Sequence, residues 1–445
     1  MARRNGGFIG PTVTAPTANA GANYGVAGGV WTLADIYEYK IAGTWPIPAS
    51  APNAPSITGV SQTTPTAAAV AFNASGTTGG LDVSSFTALA SSGQSASATS
   101  SPITVTSLTT GNAVTFTVTA TNAAGTSSAS SASNSFTPKV PRGLFFGGGT
   151  NKYYNSEVNT IDYIAITTTG NATDFGDLYK ARTWFSGCSS TTRAITMGGA
   201  ENGNGGKSIV IDYVTMASTG NGTNFGNLSA ARHGTGALSS ATRGVCAGGD
   251  VDGTSTTDIM DYVTIANTGN ATDFGNLTTA RNAGPAGCAS PTRGLFAGGL
   301  YNASSGSDAI DYITIASTGN ASDFGDLNVT VNSGAGLSSE TRGVFGRFYA
   351  SAGNQGMIDT MDYVTIGSTG NATDFGNLAA ATGGGAATSS ALRGVFGTGI
   401  DASSNALNVM EYITIANTGN TTDFGDLTVA RGRGAAASTD HGGLQ

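Results

Sequence analysis

The chain has 445 residues, 39% of them hydrophobic, which suffices for a buried core and leaves room for two or three domains. Only 10% are charged, the formal net charge is −8, and no lysine follows Lys207, so no basic stripe exists to neutralise phosphates and nucleic-acid binding is not expected. No apolar run approaches the length of a membrane span. MARRNGGFIGP places no apolar h-region behind its arginines, so neither membrane insertion nor a secretion signal is expected.

With 67 glycines and abundant Ser, Thr, Ala and Asn, the composition suits short strands joined by tight turns, because Gly and Asn supply positive φ. An all-β protein is expected. Cys188, Cys246 and Cys288 form an odd set without CxxC spacing and are read as buried free thiols.

Residues 1–50 contain GGVWTLADIYEYKIAGTWP, where Trp31, Tyr37, Tyr39 and Trp45 fall within 15 positions. The segment is too short to bury these rings by itself, so they read as anchors that pack on another chain.

Residues 51–138 show strand alternation from Val114 to Asn122, closed by a turn at Asn122–Gly125, with an earlier alternation at Ala69–Phe72. The pattern Leu108-x-x-Gly111-x-x-Val114-x-Phe116-x-Val118-x-Ala120-x-Asn122-x-x-Gly125 resembles fibronectin type III domains and implies a β-sandwich. Phe72 stands where that family has tryptophan and Val114 where it has a corner tyrosine, which implies a weaker core.

Residues 139–445 repeat. An acidic residue before tyrosine recurs at Asp162, Asp212, Asp261, Asp311, Asp362 and Glu411, and an arginine opening R-G-[LV]-F or its variant at Arg142, Arg193, Arg243, Arg293, Arg342 and Arg393. Each unit of about 50 residues divides into four short β segments, as at 284–289, 293–297, 310–316 and 321–327. TGNATDFG or a close variant occupies the last turn and strand of every unit. A D-F-G used in five units and replaced by N-F-G in the remaining one, without the other kinase motifs, is architecture and not a magnesium site. T-G-N reads as a hairpin turn, Phe as an inter-sheet contact and the last Gly as a bend. The N-x-[ST] sequons are by-products of the turn. The period and the glycine doublet after the second strand resemble kelch repeats and imply a six-bladed β-propeller. Its first blade would take a strand from RGRGAAASTDHGGLQ (431–445), where His441 aligns with the repeated arginine.

The repeated arginine and acid are expected to pair or to bond turn backbone. A second arginine (Arg182, Arg232, Arg281, Arg431) is replaced by Val331 and Thr382 in two units and is read as local. The two histidines, His233 and His441, cannot supply a copper site, and carboxylates Glu157, Glu201, Asp250, Asp252 and Asp401 lie in different loops. No catalytic residue, metal or cofactor is assigned, and no enzymatic activity is expected. The second-to-third-strand loops vary, and Tyr153, Tyr154, Tyr301, Phe348 and Tyr349 place aromatics there, so these loops are the candidate recognition surface.

The leader with RRNGGFIGP upstream, and the TGNATDFG array, resemble structural proteins of marine tailed bacteriophages, including cyanophages. That resemblance implies a virion surface protein, a fibre or decoration component of tail or capsid, assembled in the host cytoplasm. Residues 1–50 would meet other virion proteins, copies would associate on the particle, and the loops would meet protein, host glycan or receptor. The alternative is a bacterial extracellular carbohydrate-binding or carbohydrate-active protein with a fibronectin-type spacer.

Overall fold

The computed structural model describes residues 8–9, 30–31, 49–74, 78–151, 156–201, 206–253, 255–301, 305–350 and 356–444. Its two units are 1–140 and 141–445. Among the described residues the regular structure is antiparallel β, with no α-helix and one short 3-10 turn at Gly442–Leu444.

In the first unit β1 (Phe8–Ile9) pairs with β2 (Val30–Trp31). Seven further strands follow: β3 (Ser56–Thr64), β4 (Ala67–Asn73), β5 (Ser85–Ala90), β6 (Ser95–Ala98), β7 (Ile103–Val105), β8 (Phe116–Asn122) and β9 (Gly125–Thr126). They form sheets ordered β3-β4-β7 and β6-β5-β8-β9. Both sheets feed one core: Ala68, Val70, Phe72, Ile103 and Val105 from the first, and Phe86, Ala88, Phe116, Val118 and Ala120 from the second. The expected alternation of β8 holds, since its threonines lie between the buried positions. Phe72 packs on Phe86 with ring centroids 4.9 Å apart.

One pairing in this unit follows a rule other than strand alternation. Ser127, Ser130 and Ser133 donate their N–H groups to the carbonyls of Ala120, Val118 and Phe116 at 2.8–2.9 Å. Their hydroxyls accept the N–H groups of the same three residues at 2.9–3.0 Å. Three residues of this segment thus span two of β8, with each serine Oγ taking the place of a backbone acceptor.

In the second unit each repeat gives an antiparallel sheet, four-stranded except for the fourth, which also takes in Leu300–Tyr301 and Tyr349–Ala350. The third sheet is representative, with Gly236–Ser239, Arg243–Ala247, Ile259–Thr264 and Thr272–Asn276. The first sheet takes Arg142–Gly149, Glu157–Ala165 and Thr173–Asp177 from the start of the unit and Ala435–Ser438 from its other end, pairing Gly143 with Ser438 and Phe146 with Ala435. The first strands neighbour one another in the order Ala435–Ser438, Ser186–Ser189, Gly236–Ser239, Ala286–Ala289, Ala335–Ser338 and Ala386–Ser389, and the last lies again beside Ala435–Ser438.

Neighbouring sheets are joined at three depths. At the first strands, serine hydroxyls bond carbonyls of the adjacent sheet, as in Ser438 to Ser389, Ser189 to Ser438 and Ser239 to Ser189, at 2.6–2.8 Å. At the second strands, the arginine of R-G-[LV]-F lies over the tyrosine of its own sheet, 4.3–4.7 Å from the centroid. Its Nη1 donates to a carbonyl of the next sheet, from Arg142 to Met216 through to Arg393 to Ile166.

At the fourth strands, the T-G-N turn of one sheet docks on the D-F-G of the one before. Gly220 donates to the Phe175 carbonyl at 2.8 Å, and Asn221 Oδ1 accepts the N–H of Asp177 at 3.0 Å. The link from Gly170 to Phe424, at 2.7 Å, joins the first sheet to the sixth. D-F-G is itself a β-bulge: Ile161 faces Gly176 while Asp162 faces Asp174, leaving Phe175 as the extra, buried residue. Gly176 sits at φ +142°, and a Cβ there would lie 2.6 Å from the Gly220 carbonyl oxygen. The last glycine, expected to bend the chain as it leaves the strand, instead opens a seat for the neighbouring turn.

Candidate functional site

The repeated charges are consumed by the scaffold. In four of the six units the acid on the third strand pairs with the second arginine, not with the one that opens R-G-[LV]-F. Arg232–Asp261 and Arg431–Asp162 lie at 3.0 and 2.9 Å, and Arg182–Asp212 and Arg281–Asp311 are likewise in contact, all buried. Each carboxylate also accepts a backbone N–H from the connection entering its sheet, as from Ser229 to Asp261 at 3.0 Å and from Thr428 to Asp162 at 3.1 Å. The pair therefore pins the entering connection to the third strand.

The two units that lack this arginine resolve the loss differently. In the sixth, where Thr382 replaces it, Arg347 reaches over from the preceding unit and donates to Glu411 and to the Val409 carbonyl at 3.4 Å, and to the Thr398 carbonyl. These acceptors correspond to Asp212, Val210 and Gly198, which receive Arg182 in the second sheet. The guanidinium is thus kept in space though lost at its position in the repeat. Burial lowers the Arg347 pKa to about 10 against the opposing pull of Glu411. In the fifth unit, Val331 lies in the long strand Ser322–Asn332, and Asp362 accepts the N–H and side-chain amide of Asn328 at 2.9 and 2.7 Å. Burial raises the Asp362 pKa.

The predicted recognition aromatics separate. Tyr301 is exposed, in line with a surface role. Phe348 is 2% exposed and belongs to the core with Leu295, Phe324 and Phe345, which removes it from any recognition surface. Its ring fills the space beside Gly334, where a side chain would collide with it. Tyr349 is partly buried against Gly383 and bonds Arg433. Tyr153 and Tyr154, and the anchor residues Tyr37, Tyr39 and Trp45, lie outside the described residues. Trp31 is described only as the backbone partner of Phe8.

A grouping that the sequence did not disclose lies where the first strands begin. Two residues after the second-arginine position, all six units adopt the left-handed conformation, at Trp184, Gly234, Ala283, Ser333, Gly384 and Arg433, with φ from +47° to +65°. Backbone bonds run between them, from Trp184 N–H to Arg433 O at 2.8 Å, Gly234 to Trp184 at 2.7 Å and Arg433 to Gly384 at 2.7 Å. They rim a narrow funnel of about 90 Å³ whose wall is otherwise mostly Gly, Ala and Ser. Bridges such as Thr183 to Ala200 and Gly383 to Ile400 bring the variable loops to this same end. The Arg433 guanidinium stacks 4.7 Å from the Trp184 ring centroid.

The opposite end of the first strands is occupied. After Ser438 the chain cannot continue to a second strand, since Arg142–Gly149 already fills that place. It turns inward as Gly442–Leu444, where a Cβ on Gly442 would lie 2.5 Å from the Ala289 carbonyl oxygen. His441, aligned with the repeated arginine by sequence, is partly buried within this plug. Its Nε2 lies 3.3 Å from the Ser189 carbonyl, so it carries the proton, and Nδ1 accepts the Gly443 N–H at 3.1 Å.

Burial lowers the His441 pKa to about 4 from an ordinary 6.5. A lowered value in the folded state means the unfolded chain binds the extra proton first. The contribution is therefore full above pH 6.5 and is lost as pH falls towards 4, by about 3 kcal/mol. Melting curves across this range should show a shallower acid loss for His441→Gln than for the parent; equal slopes would remove the histidine from the plug's stability.

Cys188, Cys246 and Cys288 are free and buried, as expected, and burial raises all three pKa values, Cys188 to about 12. Among the described residues no group of three His, Cys, Asp or Glu side chains converges. No protein-family model and no curated protein matches this chain.

Proposed function

We propose that the protein is a non-enzymatic component of a phage virion surface, a fibre or decoration element of tail or capsid. Residues 1–50 attach it to the particle and the second unit faces outward. In this reading the six sheets are blades of a kelch-like β-propeller sealed by the strand Ala435–Ser438, and the first unit carries a fibronectin type III-like sandwich. The strand orders β3-β4-β7 and β6-β5-β8-β9 support the sandwich, and inter-sheet joints that include a sixth-to-first link support the propeller.

The observation that carries the passive role is where the repeated chemistry goes. The recurrent arginines, carboxylates, asparagines and D-F-G elements hold neighbouring sheets or fix the connections between them, which suits a rigid head presenting loops. Copies of the protein would associate on the particle and meet protein or host glycan at the loop-bearing end. Deleting residues 2–46 should abolish incorporation into particles while the melting transition of the second unit persists. Incorporation of the truncated protein at the parental level would defeat the anchor assignment.

A further inference from the structure

We infer that the end of the second unit opposite the variable loops is a docking face for an acidic protein surface, held by the six arginines that open the second strands. Arg142, Arg193, Arg243, Arg293, Arg342 and Arg393 each pair in register with the last residue of a third strand, from Ala165 through to Thr414, so all six stand at one end of the sheets. All six are partly exposed. Each lies over its own tyrosine and gives Nη1 to a carbonyl of the next sheet, contacts that leave the positive charge without a counter-charge. Among the described residues no ion pair includes any of them. Their Nε and Nη2 make no hydrogen bond among the described residues and are open to solvent.

The tyrosine and the carbonyl fix each guanidinium plane, and the edge left over, Nε with Nη2, is a fork that matches the two oxygens of a carboxylate. Charge is also divided between the two ends. The first-to-second-strand and third-to-fourth-strand turns, which share the arginine end, carry only Glu340 and Asp440 as carboxylates. The loop-bearing end carries Glu157, Glu201, Asp250, Asp252, Asp308 and Asp359. One end is therefore positive in a chain of net charge −8, and it selects an acidic partner. The forks stand apart, one to a sheet, with neutral Ser, Thr, Asn and Gly turns between them. That spread suits a broad folded surface, whereas a polyanionic chain is followed by a continuous basic groove. The inference rests on the virion reading only in taking the partner to be a protein of the particle; the charge and fork arguments stand without it.

The test is fluorescence anisotropy of labelled poly-L-glutamate titrated with the full-length protein, beside polygalacturonate of equal charge. Polyglutamate should bind saturably and weaken about 10-fold as ionic strength rises from ~0.05 to ~0.3 M. Its flexible side chains reach forks set apart and a stiff uronate chain does not, so it should bind about 5-fold more tightly than polygalacturonate. Arg193→Lys with Arg243→Lys keeps the charge but removes two forks and should weaken binding about 3-fold. If that variant fails to fold, Thr191→Glu with Ala241→Glu decides, since both are exposed turn positions beside those arginines. This pair should weaken binding about 5-fold with the melting temperature unchanged, while Tyr179→Glu with Ser255→Glu, exposed at the loop-bearing end, should change it less than about 2-fold. Equal losses from the two glutamate pairs would reduce the effect to net charge and overturn the face. Absence of saturable polyglutamate binding, or polygalacturonate binding of equal strength, also overturns it. Deletion of residues 2–46 tests a different part of the chain, so the anchor assignment and this one can fail separately.

Discussion

Removal of residues 434–444 is expected to lower the melting temperature of the second unit by more than ~10 °C and to make it aggregate on heating. The first sheet would keep three strands, and Arg142–Gly149 would become an edge whose Leu144, Phe145 and Phe146 are otherwise buried. The cut also removes the hydroxyl bridge from Ser438 to Ser389 and the carbonyls that receive Ser189 and Thr388. A synthetic peptide spanning 431–444, added in excess, should restore part of the loss by refilling the vacancy. If calorimetry gives the shortened protein the parental transition, the terminal strand does not hold the assembly together.

The second large effect is expected at Arg347. Replacing it by methionine leaves the Glu411 carboxylate, itself nearly buried, without its cation and should cost about 3–5 kcal/mol in urea unfolding. Replacing both partners, Arg347→Met with Glu411→Met, should recover most of that stability, because the penalty lies in the stranded charge more than in the lost pair. The lowered Arg347 pKa agrees, since burial outweighs the attraction of Glu411. A single-variant cost below about 1 kcal/mol would mean that water reaches the carboxylate and that the pairing is incidental.

Much of the architecture was legible because the relevant signals are local. Six copies of TGNATDFG and its variants fix where the sheets turn, and the alternation from Val114 to Asn122 fixes which face of β8 is buried. The partnerships of the charges were not legible. Two arginines and one carboxylate recur in most units, and spacing does not say which arginine the carboxylate meets. Arg347 was further hidden because it occupies the place of the first glycine of the doublet, at φ +56°, where the repeat gives no warning of a side chain. Phe348, next to it, was assigned to the loop surface for the same reason. The funnel escaped notice because Trp184 and Arg433 are about 250 residues apart and are neighbours only through the joining of the first and second sheets. A signal was present in the serines at 127, 130 and 133, whose period of three marks hydroxyl-assisted pairing in place of ordinary alternation.

The sheet shared between distant parts of the chain also sets a schedule for biosynthesis. Arg142 emerges from the ribosome 297 residues before Thr439, its hydrogen-bond partner. At ~5–20 residues per second, roughly 15–60 s pass while the other five sheets are made and the first waits on its final strand. Throughout that interval the segment GLFFGGG offers unsatisfied amides to any nascent neighbour on the same polysome. Slow translation or crowded messages would therefore favour exchange of terminal strands between chains, yielding linked dimers from a sequence that is otherwise self-sufficient.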